Sequence, residues 1–122
     1  MAATASITIS GSVKDTPTGS KTIGPITLSS TDANSQIQQI VLQSGANTIT
    51  IPTTPAPSGC IIKLPSDNTA VTTLKGVSGD TGIAIGKVTT TVLHWDSAAV
   101  PASFVLNSAS TQTGKITEIT FF

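Results

Sequence analysis

Between Ser6 and Val13 the chain reads Ser-Ile-Thr-Ile-Ser-Gly-Ser-Val. The same alternation of β-branched apolar and small polar residues returns at Thr48–Ile51 and Lys115–Phe121. A period of two sends successive side chains to opposite faces of a strand and draws no apolar stripe along a helix. Thr and Ser supply 37 of the 122 residues. Placed as the alternating partners of Ile, Val and Leu, they predict strands with one apolar and one hydroxylated face.

Turn chemistry divides the chain into strands of similar length. Lys14–Ser20, with Pro17 and Gly19, breaks the first strand. A second is predicted over Thr22–Ser29, with an irregular or edge position at Gly24-Pro25 because proline donates no ladder hydrogen bond. Thr31-Asp32-Ala33-Asn34 is turn chemistry. The spacing of Ile37, Ile40 and Val41 also fits a helical turn. A short β-branched run bounded by turn signals reads as a strand, however, with a bulge expected at Gln38-Gln39. Residues 37–51 are expected to form one hairpin, and Cys60–Leu64 with Ala70–Lys75 a second. Pro52, Pro55 and Pro57 make a stiff connector between them. Thr81–Ile85, Thr89–Trp95, Ala102–Leu106 and Lys115–Phe121 complete the set, with a polar loop over Asn107–Gly114.

The pattern implies an all-β fold: a single β-sandwich or jelly-roll-like barrel of about 8–10 mostly antiparallel strands with no significant helix. Residues 1–6 are expected to form a short N-terminal arm, and residues 7–122 one domain.

Charge excludes several classes of partner. Charged residues are 10% of the chain, and six Lys balance six acidic residues with no Arg. Nucleic acid and anionic membrane are poor partners for such a surface, while close packing among copies is not opposed by repulsion. Met1–Ser6 has no basic segment followed by an apolar run, so no secretory signal is expected. No apolar stretch reaches transmembrane length. These features suggest a soluble protein synthesised in a cytoplasm.

Little of the sequence carries reactive chemistry. Cys60, flanked by Gly59, Ile61 and Ile62 with no adjoining basic residue, reads as a small buried hydrophobe. His94-Trp95-Asp96 concentrates the unusual side chains, but His94 and Trp95 point to opposite faces of a strand. The simplest reading has Trp95 plugging the core or an end of the sandwich and Asp96 starting a loop. The functional reading makes Trp95 and Asp96 a platform for sugar or protein contact. A catalytic triad lacks an activated nucleophile. One His and one Cys do not make a zinc site, Asp67, Asn68 and Asp80 read as turn residues, and Gly76–Asp80 lacks the Gly-Lys-Ser/Thr ending of a phosphate loop. No cofactor is implied. Phe121 and Phe122 are adjacent, so a regular strand turns only one of them toward the core. The other covers a sheet edge or docks on a neighbouring subunit.

Leu74-Lys75-Gly76-Val77-Ser78-Gly79-Asp80-Thr81-Gly82-Ile83 and the segment His94–Leu106 resemble small Thr/Ser-rich β-sandwich proteins of tailed-bacteriophage virions, which decorate heads or build tails and fibres. The resemblance covers roughly residues 70–122 of the sequence. It implies a non-enzymatic capsid decoration or cement protein, made in the host cytoplasm and located in the virion. It would act as a homo-oligomer, a trimer being favoured, bound to the major capsid protein or to tail proteins. The alternative expectation is a tail or fibre component, or a receptor-binding module holding a glycan near Trp95, Asp67, Asp80 and Asp96. Candidate interaction residues are therefore Trp95, Asp96, Phe121 and Phe122.

Overall fold

The computed structural model describes residues 4–15, 19–31, 36–54, 56–96 and 98–122. The predicted turn at Asp32-Ala33-Asn34 and the break around Pro17 lie outside the described residues. Ten strands are present among those described: β1 (Thr4–Asp15), β2 (Gly19–Thr31), β3 (Gln36–Ile40), β4 (Gly45–Thr50), β5 (Gly59–Lys63), β6 (Thr72–Lys75), β7 (Ile83–Ile85), β8 (Thr90–His94), β9 (Ser103–Ser108) and β10 (Thr117–Phe121). Every pairing is antiparallel. β3-β10-β5-β8 form one four-stranded sheet, β4-β9-β6-β7 a second, and β1-β2 a separate two-stranded ribbon. The fold is a β-sandwich with an appended ribbon. Neither sheet closes on itself, so the barrel alternative is not adopted.

The alternation read from the sequence places the core. Ile62 pairs with Ile119 and Cys60 with Phe121 in the first sheet, while Ile49 pairs with Phe104 and Leu74 with Leu106 in the second. These side chains meet between the layers in one cluster, closed at the sandwich ends by Leu42, Ile51 and Leu64. At roughly 2 kcal/mol for each fully buried aliphatic or aromatic side chain, this cluster is the main source of stability.

The expected hairpins over 37–51 and 60–75 are not formed. β3 and β4 lie in opposite sheets, as do β5 and β6; within the sandwich only β6 and β7 are both consecutive and paired. The connecting residues explain the difference. Leu42 is 1% exposed and Leu64 2%, and the tip of a hairpin would leave both in water. An arch from one sheet to the other buries them. The expected bulge at Gln38-Gln39 is also absent, since β3 pairs with β10 in unbroken register from Gln36 to Ile40. Regular alternation turns Ile37 outward and Gln38 inward. The Gln38 amide then donates 3.0 Å to the Thr50 carbonyl of β4, tying the two edge strands together across the layers.

Loops at one end are held by a polar network. Gln112 is buried; its backbone N–H donates to Leu42 O (2.8 Å), and its side chain accepts from Thr69 N (3.4 Å) and donates to the Ser110 hydroxyl (3.0 Å). Asn68, also buried, donates to Lys87 O and Ala70 O. The Thr72 hydroxyl is fully buried and has no hydrogen-bond partner. An unpaired buried hydroxyl is a net cost. Replacing it by an isosteric methyl, Thr72→Val, is expected to raise unfolding free energy by about 1 kcal/mol. Urea denaturation checks this, and a loss of stability would show that the hydroxyl is solvated.

Candidate interaction surfaces

The segment His94-Trp95-Asp96 ends β8 and enters the loop that follows. Trp95 continues the inward-facing positions Thr91 and Leu93, so it lies half-buried against the core cluster. Its indole N–H donates to Pro57 O at 2.7 Å, and its backbone N–H to Ser58 O at 3.0 Å. The proline connector is thus the seat of the tryptophan. Asp96 is exposed, but its carboxylate accepts from Ala98 N at 2.7 Å and its carbonyl from Ala99 N at 3.0 Å, which is a self-contained turn. The Asp80 carboxylate closes the 77–80 turn in the same way by accepting from Val77 N.

Phe121 and Phe122 diverge as adjacent strand residues must. Phe121 is in the core cluster at 1% exposure. Phe122 lies on the opposite face and is nevertheless buried. Its carbonyl accepts from Ser58 N and Gly59 N, its N–H donates to Gly59 O, and its ring stacks on His94 with centroids 6.3 Å apart and planes within 5°. Gly59 lies between the two rings in the strand register. A methyl group there would meet the Leu93 carbonyl oxygen and stand 2.6 Å from Phe122 Cζ. The site has room only for glycine. The structure thus brings Trp95, Phe122 and His94 around the Pro57-Ser58-Gly59 backbone, while Asp96 faces solvent and Phe121 belongs to the interior.

Burial also decides the chemistry of Cys60, which has no exposure and whose thiol is pushed up to about 12 by desolvation. A buried neutral thiol is a poor nucleophile. Among the described residues no three of His, Cys, Asp and Glu gather closely enough to hold a metal ion.

The described residues also form concave surfaces on the sandwich. An open cleft of about 610 Å³ separates the sheets at the β7/β8 edges, lined by Leu74, Ile83, Leu93, Pro101 and Phe104. A groove of about 440 Å³, lined by both polar and apolar side chains, crosses the outer face of the first sheet beside Gln39, Lys63, Val88, Thr90, Ile116 and Glu118.

The largest feature unsuspected from sequence is the ribbon. β2 carries one extra residue where Ile9 pairs with Ile26 but Gly11 pairs with Ile23. Gly24, at φ +74° and with no room for a Cβ beside the Ile9 carbonyl, makes that bulge, followed by Pro25 across a cis peptide bond. This agrees with the irregularity expected at Gly24-Pro25. Its consequence is a change of phase: Ile23, three residues from Ile26, joins the same face. Ala5, Ile7, Ile9 and Val13 therefore share one side with Ile23, Ile26 and Leu28, and Ser and Thr line the other. Ile9 (37%), Ile23 (39%), Ile26 (48%) and Val13 (51%) remain exposed. The spacing of Ile23, Ile26 and Leu28 around Gly-Pro is the sequence signal that could have disclosed this face.

The chain matches no protein-family model, no curated protein and no solved structure.

Two expectations follow. Gly59→Ala should destabilise the fold by about 2–4 kcal/mol through overpacking, measured by denaturant unfolding; wild-type stability would mean that Phe122 moves freely. Cys60 should resist thiol reagents at pH 8 by at least about a hundredfold relative to the denatured chain. Since its folded pKa lies above the unfolded value near 9, its contribution to stability is intact below pH 9 and declines as pH rises toward 12. The rate of reaction with a disulfide reagent and the unfolding free energy between pH 8 and 11 read these out.

Proposed function

We propose that this protein is a non-enzymatic structural component of a bacteriophage virion, a decoration or cement protein that binds the assembled capsid and stabilises it by packing. One observation supports the reading above the others: a sandwich with its own complete core carries an additional strand ribbon whose apolar face is left in solvent. Apolar surface of that kind on a small soluble chain marks a contact with another protein. The near absence of charge suits a partner met through shape and backbone pairing rather than through electrostatic steering. The role is mechanical, with copies bound to a lattice after synthesis in the host cytoplasm and favouring the assembled state by mass action.

The glycan-binding alternative depends on Trp95, whose N–H is held inside the chain by Pro57 and whose ring packs against the core. Enzymatic readings depend on His94, which stacks on Phe122.

The test is sedimentation of the purified protein with phage particles lacking it. Stoichiometric binding that raises the temperature of particle disruption is expected, with more than about 1,000 Å² buried per contact. Absence of binding, or binding without any gain in particle stability, would overturn the cement role. Wild-type particle binding by His94→Ala and Trp95→Phe variants would further separate assembly from catalysis and sugar recognition.

A further inference from the structure

We infer that the open lateral edge of the sandwich takes an extended peptide segment of a partner protein, added as a strand beside β8 with an apolar side chain seated in the cleft between the sheets. The inference rests on the assembly reading for its setting and deepens it by naming what is bound and where.

In an antiparallel ladder the N–H and C=O of one residue point to the same side of the strand, and those of the next residue to the other. Trp95 N donates to Ser58 O at 3.0 Å and Leu64 N to Thr89 O at 3.3 Å, and the β5-β8 register between them is unbroken. Thr89, Thr91, Leu93 and Trp95 therefore turn their backbone groups toward β5. Thr90, Val92 and His94 turn theirs outward, where no strand among the described residues meets them. Donors and acceptors thus repeat along this edge about every 6.8 Å, the spacing of an extended backbone. The usual protection of an edge is missing, since Thr90–His94 contains no lysine, no proline and no bulge.

The cleft lies on the inward side of the same edge. Leu93 lines it from β8, and Leu74, Ile83 and Phe104 line it from the other sheet. Ile83 pairs with Leu74, which packs on the core, yet Ile83 is 70% exposed. The two layers do not close over one another here. At the opposite lateral edge they do. There Ile51 N donates to Ala102 O, so Thr50 turns its carbonyl outward, and the Gln38 amide takes it across the layers.

These two features select the occupant. A small apolar molecule would fill the cleft and leave the outward groups of β8 unpaired. An extended peptide meets both: its backbone continues the ladder, and its alternate side chains fall on the inward face, the one opposite Leu93 entering the cleft. β7, across the cleft, is three residues long. Val71 O faces β9, so Thr72 and Leu74 face β7 and only Ala84 turns its backbone outward there. A second β8 brought to this edge has Leu93 packed on its own core and carries no free side chain for the cleft. The occupant is accordingly an arm or loop of a different protein with apolar residues at alternate positions.

The probe is a capped synthetic peptide of alternating valine and threonine, with a lysine at each end for solubility, titrated into the full chain while amide hydrogen exchange is followed by NMR. In the free protein the amides of Thr91 and Leu93 should exchange slowly and those of Val92 and His94 fast. The peptide is expected to bind with a Kd below about 1 mM and to slow the second pair. Val92→Pro removes an outward donor that the sandwich does not use, and Ile83→Lys alters the cleft mouth; each should weaken binding at least about tenfold. Thr48→Pro, an outward position on the closed edge, should leave it unchanged. Slow reaction of Cys60 shows that each variant keeps its sandwich. Slow exchange at Val92 in the free protein, no binding, or equal losses from the two edges would overturn the inference. So would a wild type that dimerises and loses this with Val92→Pro, since a second copy then occupies the edge. Particle binding is read separately. A protein that binds the peptide but no particle keeps the edge site and loses the virion role, whereas one that binds particles and takes no peptide does the reverse.

Discussion

The meeting of two apolar sheet faces is the constraint from which the rest of this structure follows. Ile62, Ile119, Cys60 and Phe121 from one layer face Ile49, Phe104 and Leu106 from the other. Strands of three to six residues in these sheets are too short to be stable alone, and each layer supplies the surface that the other must bury. The same requirement shapes the connections. Chain that passes from one layer to the other carries Leu42 or Leu64 into the ends of the core, so the arches are themselves part of the packing. Polar anchors such as Gln112 and Asn68 then satisfy the backbone of the loops that close those ends.

Around this core the chain has little chemistry to offer and much surface. The unusual side chains are occupied internally: Trp95 by the Pro57 carbonyl, Phe122 by Gly59 and His94, and Cys60 by desolvation. What is presented outward is hydroxylated sheet, an edge cleft and the apolar side of the ribbon. The ribbon differs from the sandwich in one respect that matters for function. It obeys the same alternation, with the same residue types, but among the described residues no second sheet pairs with it and Ile9, Val13, Ile23 and Ile26 stay exposed. Identical patterning has produced a core in one place and an exposed apolar face in another.

Several elements were legible in the residues alone. Opposite orientations of His94 and Trp95 follow from strand geometry, Cys60 is buried as its apolar flanks imply, and Gly24-Pro25 interrupts β2 where a missing donor predicts it. The turn role of Asp80 and Asp96 is likewise written in their position between apolar runs. Residues 37–51 and 60–75 read as hairpins when proximity in sequence is equated with pairing, whereas their strands lie in opposite sheets. A buried leucine in each connection was the available sign against it. That only one of Phe121 and Phe122 faces the core follows from strand geometry, but which one does, and the burial of Phe122 against Gly59 and His94, depends on residues remote in sequence that become neighbours only when β10, β5 and β8 align.

By itself the sequence determined that this chain is made of strands, where most of them begin and end, and which of their faces are apolar. Those are local properties, set by the alternation of side chains about an extended backbone. Only the tertiary structure decided which strand joins which sheet, which apolar faces meet, and which one is left uncovered. Partner choice depends on contacts between residues far apart in the chain, and the period of two is the same whether the surface beyond a strand is another sheet or water.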